Sequence, residues 1–193
     1  PATDVPVPVD YVLGPGDEVR LQLFGSRNAE YSLVVNREGA VNFPEIGPIQ
    51  VAGLTFAQMR EELQSRLDGQ LIGTRASITL GQLRSIRIFV LGDVNRPGSF
   101  TVSGLSTMTN ALFASGGVTP VGSLRQVQLK RQGRTISELD LYDLLLRGDN
   151  RDDVRLQPGD VIFVSPRGDT VAVAGEVQRP AVYELQGEKA LDR

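Results

Sequence analysis

Apolar and polar residues alternate in several short segments near the start of the chain. Val19, Leu21 and Leu23 are separated by Arg20 and Gln22, and a period of two is typical of a strand with one buried face. Shorter strand candidates, bounded by Gly and Pro turns, lie at residues 31–35, 40–43, 49–51 and 76–80. This part of the chain is therefore predicted to form a compact β meander.

Residues 55–68 have a helical period instead. Met59, Leu63 and Leu67 recur at every fourth position, and this spacing places the three side chains on one face of a helix, with Phe56 beside them. An apolar stripe of this kind is typical of a helix that packs on a hydrophobic core. The sequence predicts a buried helix face here, not a ligand site.

Both ends of this helix are marked in the sequence. Thr55 and Gln58 have the spacing of a capping box, in which two residues exchange hydrogen bonds between side chain and backbone. Leu54 and Met59 fit a hydrophobic staple. Gly69 follows the last apolar residue of the stripe, and glycine commonly ends helices. The helix is therefore predicted to begin after Thr55 and to end at Gly69.

The second half of the chain contains an internal repeat. Residues 88–104 align without gaps with residues 171–187, so that Ile88 corresponds to Val171 at an offset of 83 residues. Identical pairs in the two copies include Gly92 and Gly175, Val94 and Val177, Arg96 and Arg179, Pro97 and Pro180, and Gly104 and Gly187. Each copy has a strand, a corner in which an acidic residue follows glycine (the Gly-acidic corner), a turn with proline and a returning strand. This order predicts a β-hairpin.

The segment between the two copies predicts further short elements. They are a helix at residues 107–115, a strand at 126–130 with Val127 and Leu129 buried, a helix at 140–147 and a strand at 161–164. Strands and helices mixed in this way predict an α+β fold. We expect a linker or edge strand at residues 1–10, a first domain at 11–84, a second at 85–168 and the truncated start of a third at 169–193.

Composition narrows the possible functions. The chain has 193 residues, 40% hydrophobic and 22% charged, with a net charge of −3, which is typical of a globular protein and gives no electrostatic reason to bind nucleic acid. It contains no His and no Cys, which excludes a Ser-His-Asp triad, thiolate sites and most zinc sites. We therefore expect no catalytic residues, no metal and no cofactor.

Two turns have the same chemistry, Leu-Gly-Pro-Gly-Asp at residues 13–17 and Leu-Gln-Pro-Gly-Asp at residues 156–160. We interpret them as structural turns whose Asp side chains cap nearby backbone N–H groups, with contact to a ligand as the alternative. The turns of the structural motifs are formed by Gly14, Pro15, Gly16, Asp17, Gly92, Asp93, Pro97, Gly98, Gly116, Gly117, Pro158, Gly159 and Asp160.

Arg96 and Arg179 are the candidate contact residues. The same positive charge precedes the same proline in both copies of the repeat. A guanidinium group at a hairpin tip can bind a partner subunit or an acidic sugar through paired hydrogen bonds. The alternative is an arginine that is simply exposed to solvent.

Taken in order, these motifs resemble a known family. Residues 11–21, residues 36–55 and the helix after them are similar to the polysaccharide export domain of bacterial capsule and exopolysaccharide exporters of the outer membrane. Residues 90–100, 111–117 and 156–164 are similar to the SLBB (soluble ligand-binding β-grasp) domain of those proteins. The resemblance implies a small mixed sheet-plus-helix domain, then a β-grasp-like domain and the first hairpin of a second one.

The resemblance also implies a function. It predicts a periplasmic protein associated with the outer membrane, which forms a homo-oligomeric ring as a non-catalytic conduit for a polysaccharide and works with an inner-membrane polysaccharide co-polymerase. The lipidated Cys and the membrane-crossing segment of such proteins are not in this sequence, so we expect the chain to be a piece of a longer protein whose other segments attach to the membrane.

Two other functions remain open from the sequence. The first is a discrete module that binds a saccharide or another soluble ligand in a β-grasp pocket. The second is an enzyme that acts on polysaccharide, which ranks lower because glycoside hydrolysis needs two carboxylates around one bond and the pattern of residues places no such pair.

Overall fold

The computed structural model describes residues 6–44 and 46–185. The chain has an α+β fold and divides into two compact units, residues 1–85 with 103–105 and residues 86–102 with 106–193. Of the predicted lead-in at residues 1–10, residues 6–8 have no regular structure and the first five lie outside the described residues.

The first unit contains a three-stranded antiparallel sheet and a separate hairpin. The sheet has the order β2-β1-β5, formed by β1 (Glu18–Gly25), β2 (Ala29–Val34) and β5 (Thr74–Leu80). The hairpin pairs β3 (Ala40–Phe43) with β4 (Gly47–Gln50). The strands predicted from alternation are confirmed, with ends that differ by a few residues.

Helix α1 (Phe56–Gln70) covers one face of this sheet. Met59, Leu63 and Leu67 are buried against Val19, Leu21 and the other core residues, so the predicted stripe is confirmed. The capping box is confirmed as well: Gln58 N donates to Thr55 Oγ1 over 3.2 Å and Thr55 N donates to Gln58 Oε1 over 2.9 Å.

The predicted C-terminal end of α1 is wrong by about half a turn. Gly69 lies inside the helix, which continues to Gln70 and is closed by a hydrogen bond of 2.7 Å from Leu71 N to Leu67 O. Glycine favours a helix end because it tolerates a left-handed backbone. Gly73, at a φ of +76°, has that backbone instead and precedes β5.

The second unit is built on a five-stranded sheet of order β7-β6-β10-β8-β9. Its strands are β6 (Ser85–Gly92), β7 (Gly98–Ser103), β8 (Gly122–Arg131), β9 (Arg134–Leu139) and β10 (Val161–Pro166). The central pair β6 and β10 is parallel, whereas β10 and β8 and also β8 and β9 are antiparallel. Strand β9 was not predicted from the sequence, because its apolar residues Ile136 and Leu139 lie three positions apart and do not alternate with polar ones.

Helix α2 (Met108–Ala114) packs on one face of this sheet. The core contains Met108 and Leu112 of the helix together with Val127 and Leu129 of β8, as the alternation of β8 predicted. The helix predicted at residues 140–147 is present and is wound as a π-helix over Asp143–Arg147, with Gly148 in the left-handed conformation at its end.

The second copy of the repeat forms the predicted hairpin. Strand β11 (Thr170–Val173) pairs with β12 (Ala181–Glu184) in antiparallel register. Residues 186 and 187 of that copy lie outside the described residues.

Candidate functional site

The first Pro-Gly-Asp turn buries its aspartate completely. The Asp17 carboxylate accepts hydrogen bonds from Tyr11 Oη, Gly14 N and Arg84 N, each over 2.8 Å. It also forms an ion pair of 2.5 Å with Arg84 Nη1. Asp17 is the last residue of the turn that Gly14, Pro15 and Gly16 begin. Its side chain thus links the start of β1 to Arg84, which lies 67 positions later in the chain.

Tyr11 responds to this environment. Burial of the phenol and the adjacent Asp17 carboxylate raise the pKa of Tyr11 above its usual value, because both disfavour the phenolate. Tyr11 is therefore a neutral hydrogen-bond donor at physiological pH. It stabilises the buried carboxylate and has no features of a proton-transfer group.

The second Pro-Gly-Asp turn repeats the arrangement with different partners. Asp160 is fully buried and binds Arg131 through two parallel hydrogen bonds, Nε to Oδ1 and Nη2 to Oδ2, both of 2.8 Å. Gln157 N, across Pro158 and Gly159, donates to Asp160 Oδ2 over 2.7 Å. Because the contacts of both aspartates are internal, the turns favour the structural interpretation over contact with a ligand.

The Gly-acidic corner of the first repeat lies against β10. Gly92 has a φ of +86°, and a Cβ at this position would lie 2.1 Å from Val164 O, so that only glycine fits. Asp93 N donates to Val164 O over 3.1 Å, and Asp93 O accepts from Thr119 N over 2.9 Å. Asp93 thus holds this corner through its backbone amide and carbonyl groups.

The tip of this hairpin, which includes Pro97 and Gly98, contacts the C-terminal end of α2. Arg96 Nη2 donates to Ala114 O over 2.8 Å, and Asn95 Nδ2 donates to Gly116 O over 2.7 Å. Asn95 N also donates to Gly117 O over 3.0 Å. The Arg96 guanidinium thus satisfies a carbonyl that the last turn of α2 leaves unpaired and complements the helix dipole. Asn95 binds the two glycine carbonyls that follow the helix.

The two candidate arginines therefore differ. The Arg96 side chain is exposed but donates a hydrogen bond to the C-terminal end of α2. This contact was not predicted from the sequence. The Arg179 side chain is exposed, and in the part of the chain that the structure describes its guanidinium group has no hydrogen-bond partner. The structure does not bring the two residues together into one site.

We expect the variant Arg96→Ala to destabilise the second unit by about 1 kcal/mol, because it removes a charged hydrogen bond and a favourable charge at a helix end. Arg179→Ala, at the equivalent position of the second copy, is the matched control and should leave stability unchanged. Urea denaturation of the two variants measures the difference. Equal stability of the two variants would contradict a capping role for Arg96.

The middle of the outer face of the sheet in the first unit is polar, whereas Val34 and Phe24 are exposed towards its two ends. Side chains that alternate with the buried ones point to this face, and cross-strand neighbours place Arg20 between Ser32 and Thr79, and Gln22 between Glu30 and Ser77. All six side chains are exposed. We call these six residues the polar sheet face. They supply hydroxyl, amide, guanidinium and carboxylate groups on one surface.

Glu18 organises one edge of the polar sheet face. Its carboxylate accepts hydrogen bonds from Ser32 Oγ and from Gln82 N (2.8 Å), and Arg20 Nε lies 3.1 Å from it. These hydrogen bonds, that of Ser32 foremost, lower the pKa of Glu18 from 4.5 to about 2. The contacts hold Arg20 and Ser32 in place on the surface.

The sheet of the second unit has a different outer face. Phe89 and Leu91 of β6 are about two-fifths exposed and lie beside Val161 and Phe163 of β10 in the parallel register. Lys130 Nζ lies 4.8 Å from the centre of the Phe163 ring. We call Phe89, Leu91, Val161 and Phe163 the apolar sheet face. Neither face was predicted from the sequence, because the strand register decides which side chains of different strands are neighbours.

A shallow depression lies along the exposed side of α1. Its lining consists of Arg60, Glu61, Gln64, Ser65 and Asp68, all from the one helix. An open depression of this kind covers only a small part of a ligand, whereas sites for small molecules are usually enclosed. Among residues 6–44 and 46–185, no group of three or more acidic side chains is arranged to hold a metal ion.

Within the described ranges, none of the helices is both long and apolar enough to cross a bilayer.

Comparison with protein-family models gives two matches. Residues 5–81 match the model described as polysaccharide biosynthesis/export protein, and residues 86–164 match the SLBB domain. The two matched segments follow one another in the order that the motifs indicated.

Curated relatives cover both segments. The chain is 32% identical over 180 residues to the polysialic acid transport protein KpsD of Escherichia coli, which is 92% of this chain and 32% of the relative. It is 30% identical over 169 residues to the EPS I polysaccharide export outer membrane protein EpsA of Ralstonia nicotianae, which is 86% of this chain and 44% of the relative. The chain spans about a third of the length of KpsD and under half of that of EpsA.

Proposed function

Because the chain belongs to the polysaccharide biosynthesis/export protein family, we propose that it is a non-catalytic wall module of a polysaccharide export channel. The protein functions in polysaccharide export. In this proposal residues 11–84 are the export domain, residues 85–168 the first SLBB domain and residues 169–193 the start of a second one.

We place the protein in the periplasm, in association with the outer membrane, as one subunit of a homo-oligomeric ring. Its partners are the polymer, further copies of the chain and an inner-membrane polysaccharide co-polymerase, and segments outside this sequence attach it to the membrane. The name of EpsA, an outer membrane export protein, supports this location.

The polar sheet face is the observation on which the proposed mechanism depends. Arg20, Gln22, Ser77 and their neighbours can exchange hydrogen bonds with sugar hydroxyls, and each bond replaces one with water. The net free energy of each contact is therefore small. A polymer can move along such a surface, since no single contact binds it tightly.

The two buried aspartates have a structural role in this proposal. Asp17 and Asp160 are each bound by an arginine and by backbone N–H groups. A general acid or base needs a side chain that reaches the substrate, and these two do not reach the surface. They stabilise the two domains instead.

A discrete saccharide-binding module is the second candidate. The apolar sheet face favours it, because the exposed ring of Phe89 could stack on a sugar and Arg87 lies two residues before it on the same side of β6. An open sheet covers at most one side of a ligand, however, and tight small-molecule sites cover most of its surface. The first candidate therefore fits the geometry better.

Titration of the isotope-labelled chain with tetramers of sialic acid and of glucose, followed by NMR, distinguishes the two candidates. A wall module predicts dissociation constants of about millimolar or weaker, with shift changes at the polar sheet face. The double variant Gln22→Ala/Ser77→Ala should weaken these changes. Gln64→Ala, on the outside of α1, is the control.

Two outcomes would contradict the wall-module proposal. One is saturable binding in the micromolar range with shift changes confined to Phe89 and Phe163, which is the result expected of a discrete module. The other is a set of shift changes at the polar sheet face that the double variant leaves unaltered.

A further inference from the structure

Glu184 is a buried acidic residue at the end of β12, only 3% exposed. Its carboxylate accepts three hydrogen bonds from residues outside the hairpin: from Ser123 Oγ over 2.7 Å, from Leu124 N over 2.9 Å and from Gly168 N over 3.0 Å. Ser123 and Leu124 belong to β8, about 60 residues earlier in the chain. The carboxylate therefore connects the second hairpin to the sheet of the first SLBB domain.

The backbone of Glu184 is bound to the same domain. Arg125 Nε donates to Glu184 O over 2.7 Å, and Glu184 N donates to Tyr142 Oη over 3.0 Å. One residue thus makes five hydrogen bonds by side chain and backbone. Each donor and acceptor of Glu184 has a partner.

The partners are themselves held in place. Arg125 Nη1 forms an ion pair of 2.7 Å with Asp140, and the guanidinium group lies 4.4 Å from the centre of the Tyr142 ring. Asp140 Oδ1 accepts a hydrogen bond from Tyr142 N over 2.8 Å. The Tyr142 ring lies 6.1 Å from that of Tyr183, beside Glu184 in β12. The residues that contact Glu184 are therefore also bound to one another and to their neighbours.

Apolar burial does not explain how the hairpin is attached. Val171 is 42% exposed and Val182 is 53% exposed, whereas Ile88, the equivalent of Val171 in the first copy, is fully buried. The residue equivalent to Glu184 in the first copy is Thr101, which is exposed. The hairpin fold itself consequently has no requirement for a buried carboxylate at this position.

The charge state of Glu184 agrees with the hydrogen bonds that its carboxylate accepts. Burial disfavours the carboxylate, but the hydrogen bonds from Gly168, Ser123 and Leu124 outweigh burial and hold the pKa of Glu184 below its usual value. The group is therefore ionised at neutral pH and accepts all three bonds. Other charged side chains facing this region are those of Arg125 and Asp140.

We propose that Glu184 is the centre of a polar joint, formed with Ser123, Arg125 and Tyr142, that holds the second hairpin in a fixed orientation on the first SLBB domain. The joint sets the angle at which the next domain leaves the first. It does not depend on the proposed function, because it requires no polymer and no second copy of the chain.

Pairs of spin labels test the joint directly. The sequence has no Cys, so that cysteines introduced at Thr135 in β9 and Val182 in β12, both exposed, are the only labelling sites. Electron spin resonance then measures the distribution of distances between hairpin and sheet. We expect a narrow distribution in the otherwise unaltered chain, a broad one with Glu184→Ala and an intermediate one with Ser123→Ala.

Glu176→Ala, an exposed acidic residue at the hairpin corner, is the matched control and should leave the distribution narrow. Hydrogen exchange at Val127 and Leu129 shows whether the first SLBB domain remains folded in each variant. Amides of β12 should exchange about tenfold faster or more with Glu184→Ala, as expected for the loss of hydrogen bonds to a charged group. A narrow distribution in the folded Glu184→Ala variant would overturn the proposal.

Discussion

Replacing Asp17 with alanine is expected to destabilise the first unit by about 3 to 5 kcal/mol, the usual effect of removing one partner of a buried ion pair. The Asp17 side chain is fully buried and that of Arg84 is only 18% exposed. The substitution leaves the Arg84 charge without its carboxylate partner and the Tyr11 hydroxyl without its acceptor, and buried donors without an acceptor are costly.

Urea denaturation measures this effect, with the NMR signals of β1 and of β10 followed separately so that each unit reports its own midpoint. Asp160→Ala is the reciprocal variant. Because Asp160 pairs with Arg131 in the second unit, this substitution should lower the midpoint of the second unit instead. Asp68→Ala, on the exposed side of α1, is the control. A loss below about 1 kcal/mol with Asp17→Ala would mean that the buried pair is not required for stability.

The substitution Leu63→Ala should destabilise the first unit by about 2 to 5 kcal/mol, because it removes buried methyl groups and leaves a cavity between α1 and the sheet. Leu63 is 1% exposed and lies in the middle of the buried stripe of α1. The size of the effect within this range depends on how far Met59 and Leu67 can move into the space.

The measurement is again the denaturation midpoint of the first unit. Ser65→Ala is the matched control on the same helix: Ser65 is exposed, and alanine is a good helix former, so that stability should stay the same or rise slightly. An unchanged midpoint with Leu63→Ala would contradict the core position of the stripe.

Local patterns in the sequence were sufficient to predict much of the fold. Alternation in β1 and β8, the period of α1 and the capping box of Thr55 each involve residues a few positions apart. The repeat was recognisable because Gly92 and Pro97 recur with their neighbours, and it correctly predicted a second hairpin. The end of α1 was predicted less well, because glycine at a helix end is a preference and the Leu71 hydrogen bond determined the end instead.

The candidate site was much less predictable. Arg96 was singled out by its repetition, yet its contact with Ala114 depends on how α2 packs beside the hairpin. Glu184 was identified only as a position in the aligned second copy, since its partners in β8 have no local relation to it. The polar and apolar sheet faces needed the strand register, which decides which side chains are neighbours.

The sequence by itself determined the α+β class, the repeat and the main helix stripe, because periodicity and turn chemistry are properties of neighbouring residues. The order of its motifs showed the resemblance to the family. The tertiary structure alone decided that Asp17 pairs with Arg84, Asp160 with Arg131 and Glu184 with Ser123. A buried carboxylate must find a donor, but which donor comes within 3 Å depends on the packing of strands and helices that are distant in the chain.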